Sequence, residues 1–207
     1  MRLYGDPIAT CTMRAQVVLE ELGQDYELVN VSLAEGEHKT PEHLARQPFG
    51  KVPALEDGDI TLFESRAICR YLARGTPLAG GDDPKQTALV DTWMEVEGHG
   101  YGPPVSAVVY EKVFKPMLFG GEPDQAAIDK NLAQLERVLN VYETQLGKHA
   151  FLAGDELSVA DLIHLPYTIY LIEKGGISEP FESRPNVWRW LTSLRELPSW
   201  QRVWKST

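Results

Sequence analysis

The N-terminal third of the chain alternates strand-like runs with a segment of helical spacing, which predicts a mixed α/β region. Arg2 to Tyr4 is a short strand candidate stopped by Gly5-Asp6-Pro7, and apolar residues from Met13 to Leu22 recur at helical spacing. The alternating pattern from Tyr26 to Leu33 predicts a second strand. Because a helix joins these two strands, we expect a right-handed βαβ unit with parallel strands.

Two further apolar runs predict a hairpin that leads into a helix. Pro53 to Leu55 and Ile60 to Phe63 flank an acidic turn, in which Asp57-Gly58 favours a tight antiparallel connection. Glu64-Ser65 then opens a segment with apolar residues at helical spacing.

This hairpin region has the features of a site for a small peptide-like anion. A proline between a loop and a strand is a candidate cis bond, and a cis Val52–Pro53 bond would turn the Val52 N–H and C=O outward. An extended ligand can pair with such groups as an added strand. The free N–H groups of a helix that opens at Glu64-Ser65 favour a carboxylate. The alternative is a plain hairpin that runs into a capped helix.

The strand pattern disappears after a turn-rich segment at residues 76–84, which indicates a linker. The predicted helices beyond it are Lys85 to Phe114 with a break at Gly102-Pro103-Pro104, Asp124 to Leu146, a helix opened by Ser158-Val159-Ala160-Asp161, Asn186 to Leu194, and a tail helix with Trp200 and Trp204. The sequence therefore predicts an α/β domain at residues 1–75 and an all-α domain at residues 85–207.

Composition and charge limit the partners and the compartment. The chain has 207 residues and a formal net charge of -10, which argues against nucleic acid or an anionic membrane as the main partner. Its 2 cysteines are too few for a disulfide framework and fit a reducing compartment. The N-terminus lacks the apolar stretch of a signal peptide, and no apolar run approaches the roughly 20 residues that span a bilayer. We expect a soluble cytoplasmic protein.

Several segments, in a fixed order, carry a resemblance to a known family. They are Gly36 to Leu44, Pro48 to Ala54 and Leu62 to Ile68 in the first half, and Phe151 to Asp155 and Leu157 to Asp161 in the second. Together they resemble the soluble glutathione transferases, most of all the phi class, over nearly the whole chain. The resemblance implies a thioredoxin-like N-terminal domain, a helical C-terminal domain and a homodimer. It also implies an enzyme of detoxification that uses glutathione as co-substrate, with no bound cofactor or metal.

The resemblance assigns the two ends of glutathione to different residues. Ser65 and the free helix N–H groups would hold the γ-glutamyl carboxylate, and Glu64 would face the α-amino group. The Val52 backbone, next to Pro53, would pair with the cysteinyl unit.

Basic residues of the preceding loop are assigned to the glycyl carboxylate. By resemblance, His38, Lys39 and Lys51 would lie near it, although the charged loop alone is typical of a solvated segment. His43 is expected to be an exposed residue of a short helix from Pro41 to Ala45.

Catalysis by such a protein requires the bound thiol to be held as a thiolate. A free thiol has a pKa of about 8.5, and lowering it by about two units takes roughly 2.7 kcal/mol of selective anion stabilisation. A hydroxyl hydrogen bond and a helix N-terminus can supply this, so the group is expected between Ile8 and Thr12. The phi-class serine, counted from Tyr4-Gly5, falls on Ala9, which has no hydroxyl.

Three possibilities remain for this turn. Thr10, which aligns with the hydroxyl of other serine-using classes, would activate the thiolate for conjugation to small hydrophobic electrophiles or for hydroperoxide reduction. Cys11 would instead form a mixed disulfide with glutathione and act in thiol transfer. In the third case backbone N–H groups suffice and neither side chain is essential. A separate alternative is a ligand-binding protein that keeps the fold without the chemistry.

The electrophile pocket is expected between the two domains, walled by residues 8–13 and by the helix around residues 101–114. Aromatic residues at helical spacing are also typical of a core, so the candidates in this helix have two interpretations. These candidates are Tyr101, Val105, Tyr110 and Phe114. Asp161, three residues after Ser158, is expected to cap a helix rather than to catalyse.

Overall fold

The computed structural model describes residues 1–205, which form two compact units. The first unit comprises Met1–Arg74 together with residues 197–205, and the second comprises Gly75–Glu196. This grouping differs from the predicted boundaries, because the tail helix was predicted within an all-α domain at residues 85–207. In the structure the tail helix packs on the first helix of the first unit, where Arg202 Nε donates to Glu20 Oε2 at 2.5 Å.

A four-stranded mixed sheet forms the centre of the first unit. Its strands are β1 (Arg2–Gly5), β2 (Glu27–Asn30), β3 (Ala54–Asp57) and β4 (Ile60–Phe63). The order is β2-β1-β3-β4, with β1 parallel to β2 and the other neighbours antiparallel. The parallel βαβ unit and the hairpin are therefore confirmed. Asp57 pairs with Ile60, so the hairpin loop is Gly58-Asp59, one residue beyond the predicted turn.

Helices account for most of the remaining described residues. They are α1 (Thr10–Glu21), α2 (Pro41–Arg46), α3 (Ser65–Ala73), α4 (Pro84–Val96), α5 (Gly102–Val109), α6 (Lys115–Phe119), α7 (Gln125–Leu146), α8 (Val159–Leu162), α9 (Leu165–Ile169), α10 (Glu179–Glu182), α11 (Pro185–Arg195) and the tail helix α12 (Pro198–Lys205). Short 3₁₀ turns lie at Glu37–Lys39 and Pro77–Ala79. The predicted fold class, a thioredoxin-like α/β region followed by a helical region, is confirmed.

Alternation along β1 places apolar clusters on both faces of the sheet. One buried cluster joins the sheet to α1 and α3 through Leu3, Ala15, Leu19, Leu55 and Ile68. Tyr4, the next residue of β1, belongs to a second cluster with Val31 and Ala54. β1 is therefore an inner strand with both faces covered, and a short loop connects its end to α1.

The second unit is mainly helical, and three of its helix junctions are π-helical. The π-helical stretches are Glu97–Tyr101, Tyr110–Phe114 and Tyr170–Lys174. The first of them immediately precedes the predicted break at Gly102-Pro103-Pro104. The two prolines have no N–H to donate, so the regular α-helical hydrogen bonds are interrupted at this point. None of the helices in residues 1–205 combines the length and apolar composition needed to cross a bilayer.

Asp161 is completely buried in the second unit and caps α8, as predicted. It accepts hydrogen bonds from Ser158 N at 3.0 Å, Leu152 N at 2.9 Å and Trp190 Nε1 at 2.9 Å. Burial raises the pKa of the Asp161 carboxyl in spite of these donors. Its role is to tie three segments of the helical unit together.

Candidate functional site

The junction between β4 and α3 is a sharp elbow at Glu64. This residue has φ +68° and ψ 108°, a conformation that residues with a Cβ rarely adopt. Its side chain is exposed and makes no capping hydrogen bond, so the first N–H groups of α3 receive no acceptor from the N-cap side chain. Together with the helix dipole they favour an anion. Strained residues of this kind cluster at ligand sites.

A buried arginine connects this elbow to α1. Arg14 is only 1% exposed. Its Nη1 lies 3.4 Å from Ser65 Oγ at the start of α3 and 3.7 Å from Cys11 Sγ. A guanidinium removed from water is costly unless it has polar partners. Arg14 therefore places a positive charge beside both the predicted carboxylate site and the predicted thiol site.

Arg14 was not among the residues predicted from the sequence to form the site. A signal was present, since residues on both sides of Arg14 in α1 are apolar or small. In the structure every residue from Thr12 to Leu19 is buried. A charged residue within such a segment has to be paired or functional, and this is the argument that would have found it.

The N-terminus of α1 holds both catalytic candidates. The helix begins at Thr10, and its N-cap is Ala9, which makes no side-chain hydrogen bond. The Thr10 side chain is 4% exposed, and within residues 1–205 its hydroxyl has no hydrogen-bond partner. Cys11 is a partly exposed free thiol whose sulfur accepts from Arg14. Thr10 is thus an unused donor, whereas Cys11 is already in contact with a positive charge.

The loop before β3 is built around Gly50 and Lys39. Lys39 Nζ donates to the Gly50 carbonyl at 2.7 Å and to the Phe49 carbonyl at 3.3 Å. Gly50 has φ +58°, and a Cβ there would lie 2.8 Å from Lys39 Nζ and 2.9 Å from the His38 carbonyl oxygen. Glycine is therefore required at this position. The Lys39 ammonium organises the loop in addition to any role in binding.

His38 lies in the same loop and is electrically neutral at pH 7. Burial, together with the positive charge of Lys39 and the proximity of His43, lowers the pKa of the His38 imidazole below its usual 6.5. Its Nδ1 is buried without a hydrogen-bond partner.

The expectation that His43 is exposed was wrong. His43 is 3% exposed, and its Nε2 donates to the Lys51 carbonyl oxygen at 2.7 Å. The Lys51 side chain itself is exposed. Sequence pattern could not reveal this, because α2 is short and mostly polar and its buried side is set by the loop that packs against it.

The Val52–Pro53 peptide bond is cis, as predicted. Pro53 is buried and Val52 is half-buried. Tyr4 pairs with Ala54, so Pro53 lies one position beyond that pair, beside the end of β1 from which α1 starts. All the predicted catalytic and glutathione-binding residues lie in the first unit. Arg14 joins Cys11 to Ser65, and no hydrogen bond joins Thr10 to any of the others within the described chain. Residues 1–205 contain no group of three or more His, Cys, Asp or Glu side chains suited to a metal ion.

Two family models match the chain. The one described as the N-terminal domain of glutathione S-transferase covers residues 1–74, and the one described as its C-terminal domain covers residues 102–198. The chain belongs to the glutathione S-transferase family. The first match coincides with the sheet-containing part of the first unit, where the candidate site lies.

Relatives of this glutathione S-transferase include plant phi-class proteins. The probable glutathione S-transferase GSTF2 of Oryza sativa subsp. japonica is 44% identical over 205 residues, which cover 98% of this chain and 95% of the relative. The crystal structure of glutathione transferase F7 from Populus trichocarpa shares 44% identity, with a TM-score of 0.94 and coverage of 99% and 97%. Glutathione S-transferase I from mais, solved in complex with an atrazine glutathione conjugate, shares 44% identity, with a TM-score of 0.90 and coverage of 98% and 95%.

Proposed function

We propose that this chain is a glutathione transferase that joins the thiolate of glutathione to small hydrophobic electrophiles. Glutathione enters as a co-substrate, and the chemistry requires no resident cofactor or metal. The mais relative was solved with a glutathione conjugate, which supports the same class of reaction for this chain. The observation that carries the proposal is the buried Arg14, which contacts Ser65 at the uncapped start of α3 and Cys11 at the start of α1.

Binding at the γ-glutamyl end rests on charge and free donors. The N–H groups that open α3 and the Ser65 hydroxyl hold the carboxylate, and the Arg14 guanidinium lies 3.4 Å behind the Ser65 oxygen. The exposed Glu64 carboxylate faces the α-amino group. The elbow thus offers a positive partner for the carboxylate and a negative partner for the amino group of the same γ-glutamyl unit.

Binding at the other end uses the loop before β3. The Val52 backbone, next to Pro53, pairs with the cysteinyl unit as an added strand. His38, Lys39 and Lys51 surround the glycyl carboxylate. Lys51 is exposed and Lys39 is already bonded to Gly50, so Lys51 supplies the more mobile charge.

For thiolate activation we assign the hydroxyl of Thr10. It is buried at the first position of α1 and has no acceptor within the described residues, so it can donate to the sulfur of glutathione. Such a bond to a charged atom contributes about 1.5–3 kcal/mol, and the helix N-terminus adds to it. The same thiolate can reduce hydroperoxides.

One observation favours a second function, glutathione-dependent thiol transfer through Cys11. The Cys11 sulfur is partly exposed and lies 3.7 Å from the Arg14 guanidinium. In that chemistry the Cys11 thiolate attacks the disulfide of a glutathionylated substrate, releases the substrate thiol and becomes a mixed disulfide with glutathione.

Because Ala9 has no hydroxyl, a ligand-binding protein without catalytic activity is a further alternative. Measuring both glutathione binding and substrate turnover distinguishes this alternative from the two enzymatic functions. The experiment is calorimetric titration with glutathione, followed by initial rates with an activated aryl halide, an isothiocyanate, a hydroperoxide and a mixed glutathione disulfide. Conjugation of the aryl halide or isothiocyanate supports the main proposal. Turnover of the mixed disulfide alone supports thiol transfer, and binding without any turnover supports the ligand-binding alternative.

We further propose that the helical unit contributes the electrophile-binding surface, that the enzyme is a cytoplasmic homodimer, and that its role is detoxification. Tyr101 and Val105 are fully buried, and the Tyr101 hydroxyl bonds Thr168 Oγ1 at 2.5 Å, so both belong to the core of that unit. Of the predicted candidates, exposed Tyr110 and partly exposed Phe114 remain. Light scattering of the purified protein measures the dimer, and a Tyr110→Ala variant with an altered KM for the aryl halide supports the surface.

A further inference from the structure

His43 is a buried polar side chain with a single hydrogen bond from its ring. Its Nε2 contacts the Lys51 carbonyl oxygen at 2.7 Å, and its Nδ1 is buried without a partner. A carbonyl oxygen can only accept, so Nε2 carries the proton of this bond. Burying a polar atom without a partner costs free energy, which an apolar side chain at position 43 would avoid. What His43 supplies, and an apolar residue does not, is a donor to Lys51.

Packing does not explain the burial either. His43 lines a cavity of about 310 Å³ together with Tyr4, Thr40 and Arg46. The ring is therefore incompletely packed on one side. Its position is set by the bond to Lys51 and by α2, whose N-cap Thr40 side chain accepts from the His43 N–H.

The bond to Lys51 controls the direction of the next N–H group. The Lys51 C=O and the Val52 N–H belong to one planar trans peptide, in which the two groups point in opposite directions. Since the carbonyl points to His43, the Val52 N–H points away from it. Within residues 1–205 no acceptor bonds this N–H. Val52 therefore presents an unpaired donor on the side opposite α2.

We propose that His43 is a positioning residue that orients the Lys51–Val52 peptide so that the Val52 N–H can bond the cysteinyl unit of glutathione. The inference rests on the proposed function, and it adds a residue that touches no ligand but sets the affinity for one. Lys39, which belongs to a different element, donates to the preceding carbonyl, that of Gly50. The side chains of Lys39 and His43 therefore fix two successive carbonyls of the loop, those of Gly50 and Lys51.

The test compares His43→Leu, which removes the donor, with His43→Gln, whose side-chain amide can place an N–H close to the position of Nε2. The control is Leu44→Gln, a substitution at a partly exposed position in the same helix. We expect His43→Leu to raise the KM for glutathione about tenfold while kcat at saturating glutathione stays within about threefold. His43→Gln should restore most of the affinity, and Leu44→Gln should resemble the wild type.

A second readout does not depend on turnover or on glutathione. In ¹H–¹⁵N spectra of the free protein, His43→Leu should displace the Val52 amide resonance, and His43→Gln should return it toward the wild-type position. Unchanged KM and an unchanged Val52 resonance in His43→Leu would overturn the inference. So would equal losses in the Leu and Gln variants, which indicate a general packing defect. A wild-type protein that fails to bind glutathione refutes the proposed function, whereas the Val52 resonance still decides whether His43 orients the peptide.

Discussion

The Arg14 guanidinium and the Ser65 hydroxyl lie 3.4 Å apart and join α1 to α3, which are separated along the chain by the strands β2, β3 and β4. Arg14 is the fifth residue of α1, and Ser65 is the first residue of α3. The contact holds the two helix N-terminal regions next to each other, and it places a permanent positive charge behind the N-terminus of α3. An anion at this point meets both a helix end and a guanidinium.

Replacing Arg14 with Leu should weaken glutathione binding by about tenfold or more. The reason is the loss of a charge-assisted contribution of about 1.5–3 kcal/mol at the γ-glutamyl carboxylate. Isothermal titration measures the change. Arg74→Leu is the matched control. It removes the same charge, but from an exposed residue at the opposite end of α3. Equal affinity for glutathione in Arg14→Leu and the wild type would rule out a role for Arg14 in binding.

Thr10 and Cys11 should separate conjugation from thiol transfer. Thr10→Ala removes the unpaired hydroxyl at the start of α1, and we expect the conjugation rate at pH 6.5 to fall at least tenfold. Cys11→Ser keeps a small polar group and should largely spare conjugation. Initial rates with an activated aryl halide measure both effects. If Cys11→Ser abolishes activity, and mass spectrometry finds a glutathione adduct on Cys11 of the wild type, the assignment is reversed.

Glu64 should show opposite effects on stability and on binding. Glycine accepts φ +68° without steric cost, so Glu64→Gly should unfold at the same temperature as the wild type or higher. The same variant should bind glutathione more weakly, because it loses the carboxylate that faces the α-amino group. Glu64→Gln keeps the backbone strain and loses only the charge, which makes it the control. Calorimetry gives both quantities, and a lower melting temperature for Glu64→Gly would show that the backbone at this elbow is not strained.

The affinity for glutathione should increase as the pH falls below 7. The pKa of His38 is lowered from 6.5 in the free protein by burial and by neighbouring positive charges. A glycyl carboxylate beside the ring raises that pKa again, so binding takes up a proton in the interval between the two values. At pH values below the pKa of His38 in the free protein, this gain in affinity is complete. S-methylglutathione, which has no titrating thiol, is the appropriate ligand for measuring Kd against pH.

The matched variant for this measurement is His38→Gln, which keeps a polar side chain that does not titrate. Its Kd for S-methylglutathione should be independent of pH between about 5 and 7, where the wild type changes. A parallel pH dependence in both proteins would assign the effect to another group.

The strands, the hairpin and the main helices of the chain could be predicted because each has a local cause. The Gly5-Asp6-Pro7 stop and the alternating run before Leu33 depend on neighbours in sequence. Arg14 and His43 could not be placed in the same way. Each is a polar residue on a helix, and its burial depends on a partner far along the chain or in an irregular loop, Ser65 in one case and Lys51 in the other.

For the site residues, the position in the fold was more predictable from the sequence than the hydrogen-bond partners or the protonation of the side chain. The cis bond before Pro53 and the helix start at Ser65 follow from residue type and order. That Lys39 is engaged by Gly50, or that His38 is neutral, follows only from burial and from the proximity of other charges. Such effects are set by three-dimensional distance, which a single sequence does not record.

The packing of α12 on α1 has a consequence for how the protein is made. Arg202 and Ser199 bond Glu20 and Glu21, so the sheet-containing unit includes a segment that the ribosome delivers only after the whole helical unit. A nascent chain that has already emerged as far as Arg74 still has the acidic end of α1 uncovered. The half that is translated first is therefore completed only when synthesis of the other half is over.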